Sequence, residues 1–247
     1  MIVANWKCNG SREMIQDWSK DYEDTYIPFD KTFVGIAPPY LYLENLTNSI
    51  NAHGLDIKIG AQDIDISSGA RTSAVSVDMI QDMECQFTII GHSERRNIFN
   101  ESNESISAKL DSVGNKIATI LCIGESEGEK NDKDTKNVLE DQLSIIKGKI
   151  MPSSFSIAYE PVWAIGTGNT PTPDEINDIH KFIKDVVQSS SENSIVPNVL
   201  YGGSVNDANA ESFFKEDNVD GALIGGASLQ GKSFADIVNI FNGKSIW

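Results

Sequence analysis

The sequence predicts an α/β fold, a single closed (β/α)8 barrel of eight parallel strands. Three observations carry that reading. Short apolar runs of β-forming residues recur eight times, each followed by turn residues and a longer, more polar stretch. Their starts lie 30, 25, 30, 30, 38, 43 and 24 residues apart, room for one strand, one helix and two loops. The runs are continuously apolar rather than alternating, as in parallel strands covered on both faces. None is polar enough to serve as an exposed edge, which favours closure over the rival doubly wound open sheet.

In chain order the expected strands are Ile2 to Ala4, Thr32 to Ala37, Ile57 to Ala61, Phe87 to Ile90, Ile117 to Ile123, Phe155 to Tyr159, Asn198 to Tyr201 and Ala222 to Ile224. Between them, Lys136 to Ile146 and Ile176 to Val187 place apolar residues three and four apart, the stripe of a helix with one covered face. Thr172-Pro173-Asp174-Glu175 is a capping box, with Pro at the first helical position and acids near the positive end of the helix. Ser93 and Asn206 are expected to cap the helices that follow the fourth and seventh strands. Pro and Gly fall at strand ends and not in runs, so residues 1–247 are expected to form one barrel domain.

Composition narrows the function. The 247 residues are 40% hydrophobic, ordinary for a globular chain, but the formal net charge is −16. Such a surface repels phosphate backbones and anionic lipid, which argues against nucleic-acid and membrane-surface roles. No apolar run is long enough to span a bilayer, and the first seven residues lack the pattern of a signal peptide. Cys8, Cys85 and Cys122 are odd in number and have no paired spacing, which suits free thiols in a reducing cytoplasm.

Parallel α/β folds carry chemistry at the carboxyl ends of their strands. Those ends hold Asn5 and Lys7 after the first strand, Gln62 after the third and His92, Ser93 and Glu94 after the fourth. Gly124-Glu125 follows the fifth, Glu160 with Pro161 to Gly168 the sixth, Gly202-Gly203-Ser204 the seventh and Gly225-Gly226 the eighth. Taken singly, Lys7 reads as a solvated lysine, His92 as a structural histidine and Glu160 as a loop carboxylate. On one rim they form an acid–base set. Desolvation of Glu160 by its strand and Trp163 is expected to raise its pKa. His92 precedes a helix start, whose positive end is expected to disfavour the imidazolium. Glycine turns after the seventh and eighth strands would aim backbone N–H groups at one point, as phosphate-binding barrels do. Gly226 to Ser233 also matches the pattern G-x-x-x-x-G-K-S. A nucleotide-hydrolysing fold would need further strands downstream, and fourteen residues follow Ser233.

The strand-end motifs resemble those of the triosephosphate isomerase family over essentially the whole chain. They are Asn5-Trp6-Lys7, Gly91 to Arg96, Cys122 to Glu125, Ala158 to Gly168, Tyr201 to Val205 and Ile224 to Leu229. The resemblance implies a TIM barrel that interconverts dihydroxyacetone phosphate and D-glyceraldehyde 3-phosphate through an enediolate, in glycolysis and gluconeogenesis. It implies that Glu160 is the base, His92 the neutral electrophile and Lys7 a source of positive charge. Asn5 would orient a substrate oxygen, and Glu94 would support Lys7 and His92. Gly166, Ser204, Gly225 and Gly226 would hold the phosphate. Pro161, Val162, Trp163, Ala164, Ile165, Gly166, Thr167 and Gly168 would form the lid. It implies no metal and no organic cofactor.

The resemblance also implies a homodimer in which Thr72, in the loop after the third strand, reaches toward the partner's site. Here Ser73-Ala74 replaces the usual Gly-Glu, so the acid expected to pair with Arg95 is missing. Two further departures are Cys8 in place of Met and a shorter amino terminus, expected to weaken the first strand at its non-catalytic end. The alternatives are another phosphate-binding barrel enzyme and a non-catalytic barrel serving as an interaction protein.

Overall fold

The structure, a computed structural model, describes residues 1–29, 32–164 and 170–243. Among these residues eight parallel strands close into a barrel in sequence order. They are β1 (Ile2–Asn5), β2 (Val34–Ala37), β3 (Lys58–Ala61), β4 (Phe87–Ile90), β5 (Ala118–Ile123), β6 (Phe155–Tyr159), β7 (Asn198–Tyr201) and β8 (Ala222–Ile224). The bounds differ from the expected ones by two residues at most, at the start of β2. β1 closes the ring against β8, with Ile2 opposite Ala222 and Ala4 opposite Ile224.

Strands this apolar are buried on both faces. Val3, Phe87, Ile89, Ile120, Ala158, Leu200 and Leu223 fill the barrel interior, and their neighbours in sequence point outward against the helices. The outer layer follows the helical periods. Helix Arg12–Thr25 buries Ile15, Trp18, Ser19 and Tyr22, and helix Pro173–Ser190 buries Ile176, His180, Ile183 and Val187. The capping box forms as expected: Thr172 Oγ1 accepts from Glu175 N at 3.2 Å, and Glu175 Oε2 accepts from Thr172 N at 2.8 Å.

Three expectations need correction. Ser93 is the first residue of helix Ser93–Ile98, and His92 is its cap, accepting at Nδ1 from Glu94 N at 3.2 Å. Asn206 caps an intervening turn through Ala208 N and Asn209 N; the helix itself starts at Ala210 with Asn209 before it. The first strand is not weakened at its start. Met1 O accepts from Ala222 N at 3.1 Å, and Ile2 N donates to Phe33 O at 2.9 Å, so both sides are paired from the first residue.

Candidate functional site

The carboxyl ends of β1, β4 and β6 bring Asn5, Lys7, His92, Glu94 and Glu160 together. Asn5 is buried, and its Oδ1 accepts from Lys7 N at 3.0 Å. Lys7 takes a left-handed backbone, φ 52°, which costs an L-residue energy and persists only where neighbours enforce it. Gln62 is one enforcer: its Nε2 donates to Lys7 O at 2.8 Å and to Ala37 O at 2.9 Å. The Lys7 ammonium bonds Glu94 Oε1 at 2.7 Å, and Glu94 Oε2 lies 3.6 Å from His92 Nδ1. Glu94 thus touches both groups it was expected to support.

Glu160 is 2% exposed. Its Oε1 lies 2.8 Å from His92 Nε2, and its Oε2 accepts from Ser93 N at 2.9 Å. Burial alone would raise the Glu160 pKa, but His92, the Ser93 amide and Lys7 offset it, and the net direction is down. The expected rise is therefore overturned in this arrangement, because the sequence could not show that the imidazole would meet the carboxylate. His92 is corrected for the same reason. Burial lowers its pKa, yet the Glu160 carboxylate more than compensates and the net direction is up. Its Nδ1 accepts a backbone N–H, which leaves Nε2 to carry the proton toward Glu160.

The main chain of Glu160 is gripped from both neighbouring strands. Its N–H donates to Ile123 O at 2.8 Å, Val162 N donates to Glu125 O at 3.1 Å, and Gly202 N donates to Tyr159 O at 2.7 Å. Glycine is required where those strands approach. A Cβ at Gly202 would lie 2.8 Å from Glu160 Cγ, and one at Gly124 would overlap the Glu160 carbonyl oxygen.

Glu125 holds the described part of the expected lid. Its buried carboxylate accepts from Tyr159 OH at 3.0 Å and from Trp163 Nε1 at 2.8 Å. Pro161, Val162, Trp163 and Ala164 lie directly after Glu160, the last three in one 3-10 turn. Ile165, Gly166, Thr167 and Gly168 fall outside the described residues. On the β7 and β8 side, Ser204 Oγ donates to Ala164 O at 3.2 Å. Gly225 adjoins Lys7, and the space beside Gly226 is open. The turn after β8 is braced from below, where Ser228 O accepts from Trp6 Nε1 at 3.2 Å and Trp18 Nε1 at 2.8 Å. Ser228 lies within the G-x-x-x-x-G-K-S match, and its segment belongs to this brace.

Gln62, Glu125, Trp6 and Trp18 are parts of the site that residue-type reasoning did not assign. Gln62 and Glu125 carried one legible signal, a polar residue just past an apolar strand. Trp6 stood only within the Asn5-Trp6-Lys7 motif, and Trp18 was not singled out.

Thr72 is exposed and lines a cleft of about 900 Å³ that runs from Asn5, Lys7 and His92 to Arg95 and Lys109. Arg95 Nε lies 3.2 Å from Asp63 Oδ2, and the guanidinium stacks on Phe99 at 4.5 Å. All three cysteines are free, and Cys8 lies exposed in the cleft.

A carboxylate paired with an imidazole, a lysine beside them and glycine turns opposite suit proton transfer on a small anionic molecule. The fold and site thus define an acid–base enzyme of the (β/α)8-barrel class. The triosephosphate isomerase family profile matches residues 1–241. Triosephosphate isomerases of Erwinia tasmaniensis and Klebsiella pneumoniae are each 40% identical to this chain, covering 96% of it and 95% of their own length. That of Buchnera aphidicola is 40% identical over 98% of both chains. The chain belongs to the triosephosphate isomerase family.

Proposed function

We propose that Glu160, His92, Lys7 and Asn5 carry this enzyme's reaction, the interconversion of dihydroxyacetone phosphate and D-glyceraldehyde 3-phosphate. The observation that carries the reading is the buried Glu160 carboxylate, held by His92 Nε2 and Ser93 N–H on the rim that also bears Lys7. Both carboxylate oxygens are engaged, so Glu160 must release them to reach a substrate carbon. Release has a second consequence. Release removes the largest influence raising the His92 pKa, the carboxylate at 2.8 Å, so burial weighs more heavily toward the uncharged ring. One movement thus frees the base and favours the neutral imidazole.

Glu160 then takes a proton from one carbon and returns it to the next. His92 Nε2–H and the Lys7 ammonium stabilise the enediolate oxygen, a role suited to donors fixed in place before the reaction. Asn5 orients a substrate oxygen. Glu94 maintains Lys7 and His92 in register, supported by its contacts to both. Gly166, Ser204, Gly225 and Gly226 bind the phosphate, and Pro161 to Gly168 close over it and exclude water. The barrel domain of residues 1–247 acts in the cytoplasm. Among the described residues, no helix is long and apolar enough to cross a membrane.

The functional unit is a homodimer, with Thr72 reaching the partner. Support comes from the apolar residues exposed in the cleft, among them Leu41 (86%) and Phe99 (61%). Asp63 occupies Arg95 within the chain, so the acid missing at Ala74 does not leave that guanidinium without a counter-charge. Sedimentation at micromolar concentration should give twice the chain mass; a monomer throughout overturns the dimer. For the reaction, glyceraldehyde 3-phosphate should be turned over in a coupled assay, with solvent deuterium entering the product carbon. Turnover that survives Glu160→Ala largely intact overturns the role given to Glu160.

A further inference from the structure

Gln142 stands outside the substrate-facing set, on the outer helix Thr135–Leu143. Its side-chain amide clamps one residue from both sides: Oε1 accepts from Gly124 N at 2.8 Å, and Nε2 donates to Gly124 O at 2.9 Å. An amide satisfies both bonds at once; a carboxylate or an alkyl chain of similar size does not. Gly124 is the residue against which the Glu160 carbonyl seats, too closely for any Cβ. The carbonyls flanking Gly124, those of Ile123 and Glu125, receive the amides of Glu160 and Val162. Gln142 therefore fixes the main-chain template on which Glu160 rests.

The surroundings make that clamp consequential. A cavity of about 270 Å³ adjoins this template, with Glu160, Gln142, Asp141, Asn103 and Arg96 among the residues that line it. Close-packed side chains do not back the Glu160 segment there, so its placement depends on directional hydrogen bonds. Helix Thr135–Leu143 is itself anchored by buried Leu139 and Leu143, which gives Gln142 a rigid base.

We infer that Gln142 is a positioning residue for the base, acting through Gly124 on where the Glu160 carboxylate comes to lie. The inference rests on the assignment of Glu160 given above. Among the described residues the hydrogen bonds of the Gln142 side chain go to Gly124 and none goes to Ser204, Gly225 or Gly226, so its loss should alter proton transfer and leave substrate binding nearly unchanged.

Gln142→Leu and Gln142→Glu, each made in the wild-type and Glu160→Ala backgrounds, test this through kcat, KM and the primary isotope effect with deuterated substrate. Gln142→Leu should lower kcat about 10- to 100-fold with KM within about twofold, the scale expected when a reacting group is misplaced by a fraction of an ångström to an ångström. The isotope effect on kcat should rise. Gln142→Glu retains an acceptor for Gly124 N and should lose less; it also carries the test if the leucine variant does not fold. In the Glu160→Ala background neither substitution should lower kcat further, because the group they position is gone. An equal fall in both backgrounds, or near-normal kcat for Gln142→Leu beside an inactive Glu160→Ala, overturns the positioning role alone. Near-normal turnover by Glu160→Ala overturns the assignment of the base and this inference with it.

Discussion

The two halves of the rim are built differently. On the β1, β4 and β6 side the groups proposed to work are side chains, with Asn5, His92 and Glu160 buried and the Lys7 ammonium held by Glu94. Glu160 has both oxygens engaged, Lys7 is forced into a left-handed backbone, and His92 is bonded through both ring nitrogens. On the β7 and β8 side the groups proposed to hold the phosphate are backbone amides in glycine turns, with open space beside Gly226. The difference follows from the tasks proposed for each half. Proton transfer needs atoms placed to a fraction of an ångström before the reaction begins. A phosphate needs a concentration of N–H donors, which the main chain provides without side-chain entropy to lose. Substitutions on the first side should therefore change kcat, and those on the second should change KM.

The sharpest test is Glu160→Ala, which should lower kcat about 10³- to 10⁴-fold with KM little altered, the range for loss of a positioned base. A comparable rise in KM would dissolve the division between the halves. Glu125→Leu comes next. It strips Tyr159 OH and Trp163 Nε1 of their shared acceptor at the start of the lid. Loss of kcat by about tenfold and a drop in Tm of about 5 °C are expected, given a cost of ~1–3 kcal/mol for a buried donor such as the Tyr159 hydroxyl left unpaired. Ser204→Ala, on the phosphate side, keeps its main-chain N–H and loses the Oγ bond to Ala164 O at the start of the lid; it should raise KM about fivefold and spare kcat, consistent with one hydrogen bond of ~1 kcal/mol.

The smallest effect concerns stability against pH. The Glu160 pKa is held below its ordinary 4.5, so its contribution is present above that value and lost as pH falls through the lowered one. The His92 pKa is raised above 6.5, so its contribution is full below that value and lost as pH rises through the raised one. The difference in Tm between the wild type and Glu160→Gln should accordingly be largest between about pH 4.5 and 6.5 and shrink on either side. Calorimetry across this range would show it, and a difference that grows steadily toward alkaline pH would contradict the pairing.

Most of the fold was legible because continuous apolar runs at regular intervals admit few arrangements. The candidate site was legible in its residue types, since a parallel barrel gathers its strand ends on one rim. The environments of those residues were not. Glu160 was expected to have a raised pKa from its apolar neighbours, and His92 a lowered one from the helix start. Each direction is reversed by the other residue, 68 positions away and 2.8 Å distant. The capping roles of Ser93 and Asn206 shifted for a similar reason: an imidazole is an unusual cap, and an extra turn precedes Ala210. Gln62 carried only its place just past an apolar strand and Gln142 no functional signal, because a glutamine acquires its role from the backbone groups it meets.

What the sequence by itself determined is the periodicity of the barrel and the order of reactive groups around its rim. Both depend on local preferences, on apolar runs and on the turn residues that follow them. What the tertiary structure alone decided is which charges touch, which backbone seats the carboxylate and which outer helix reaches in to hold it. Those depend on distances between residues far apart in the chain. A pKa or a clamp is a property of such distances, and they exist only once the barrel has closed.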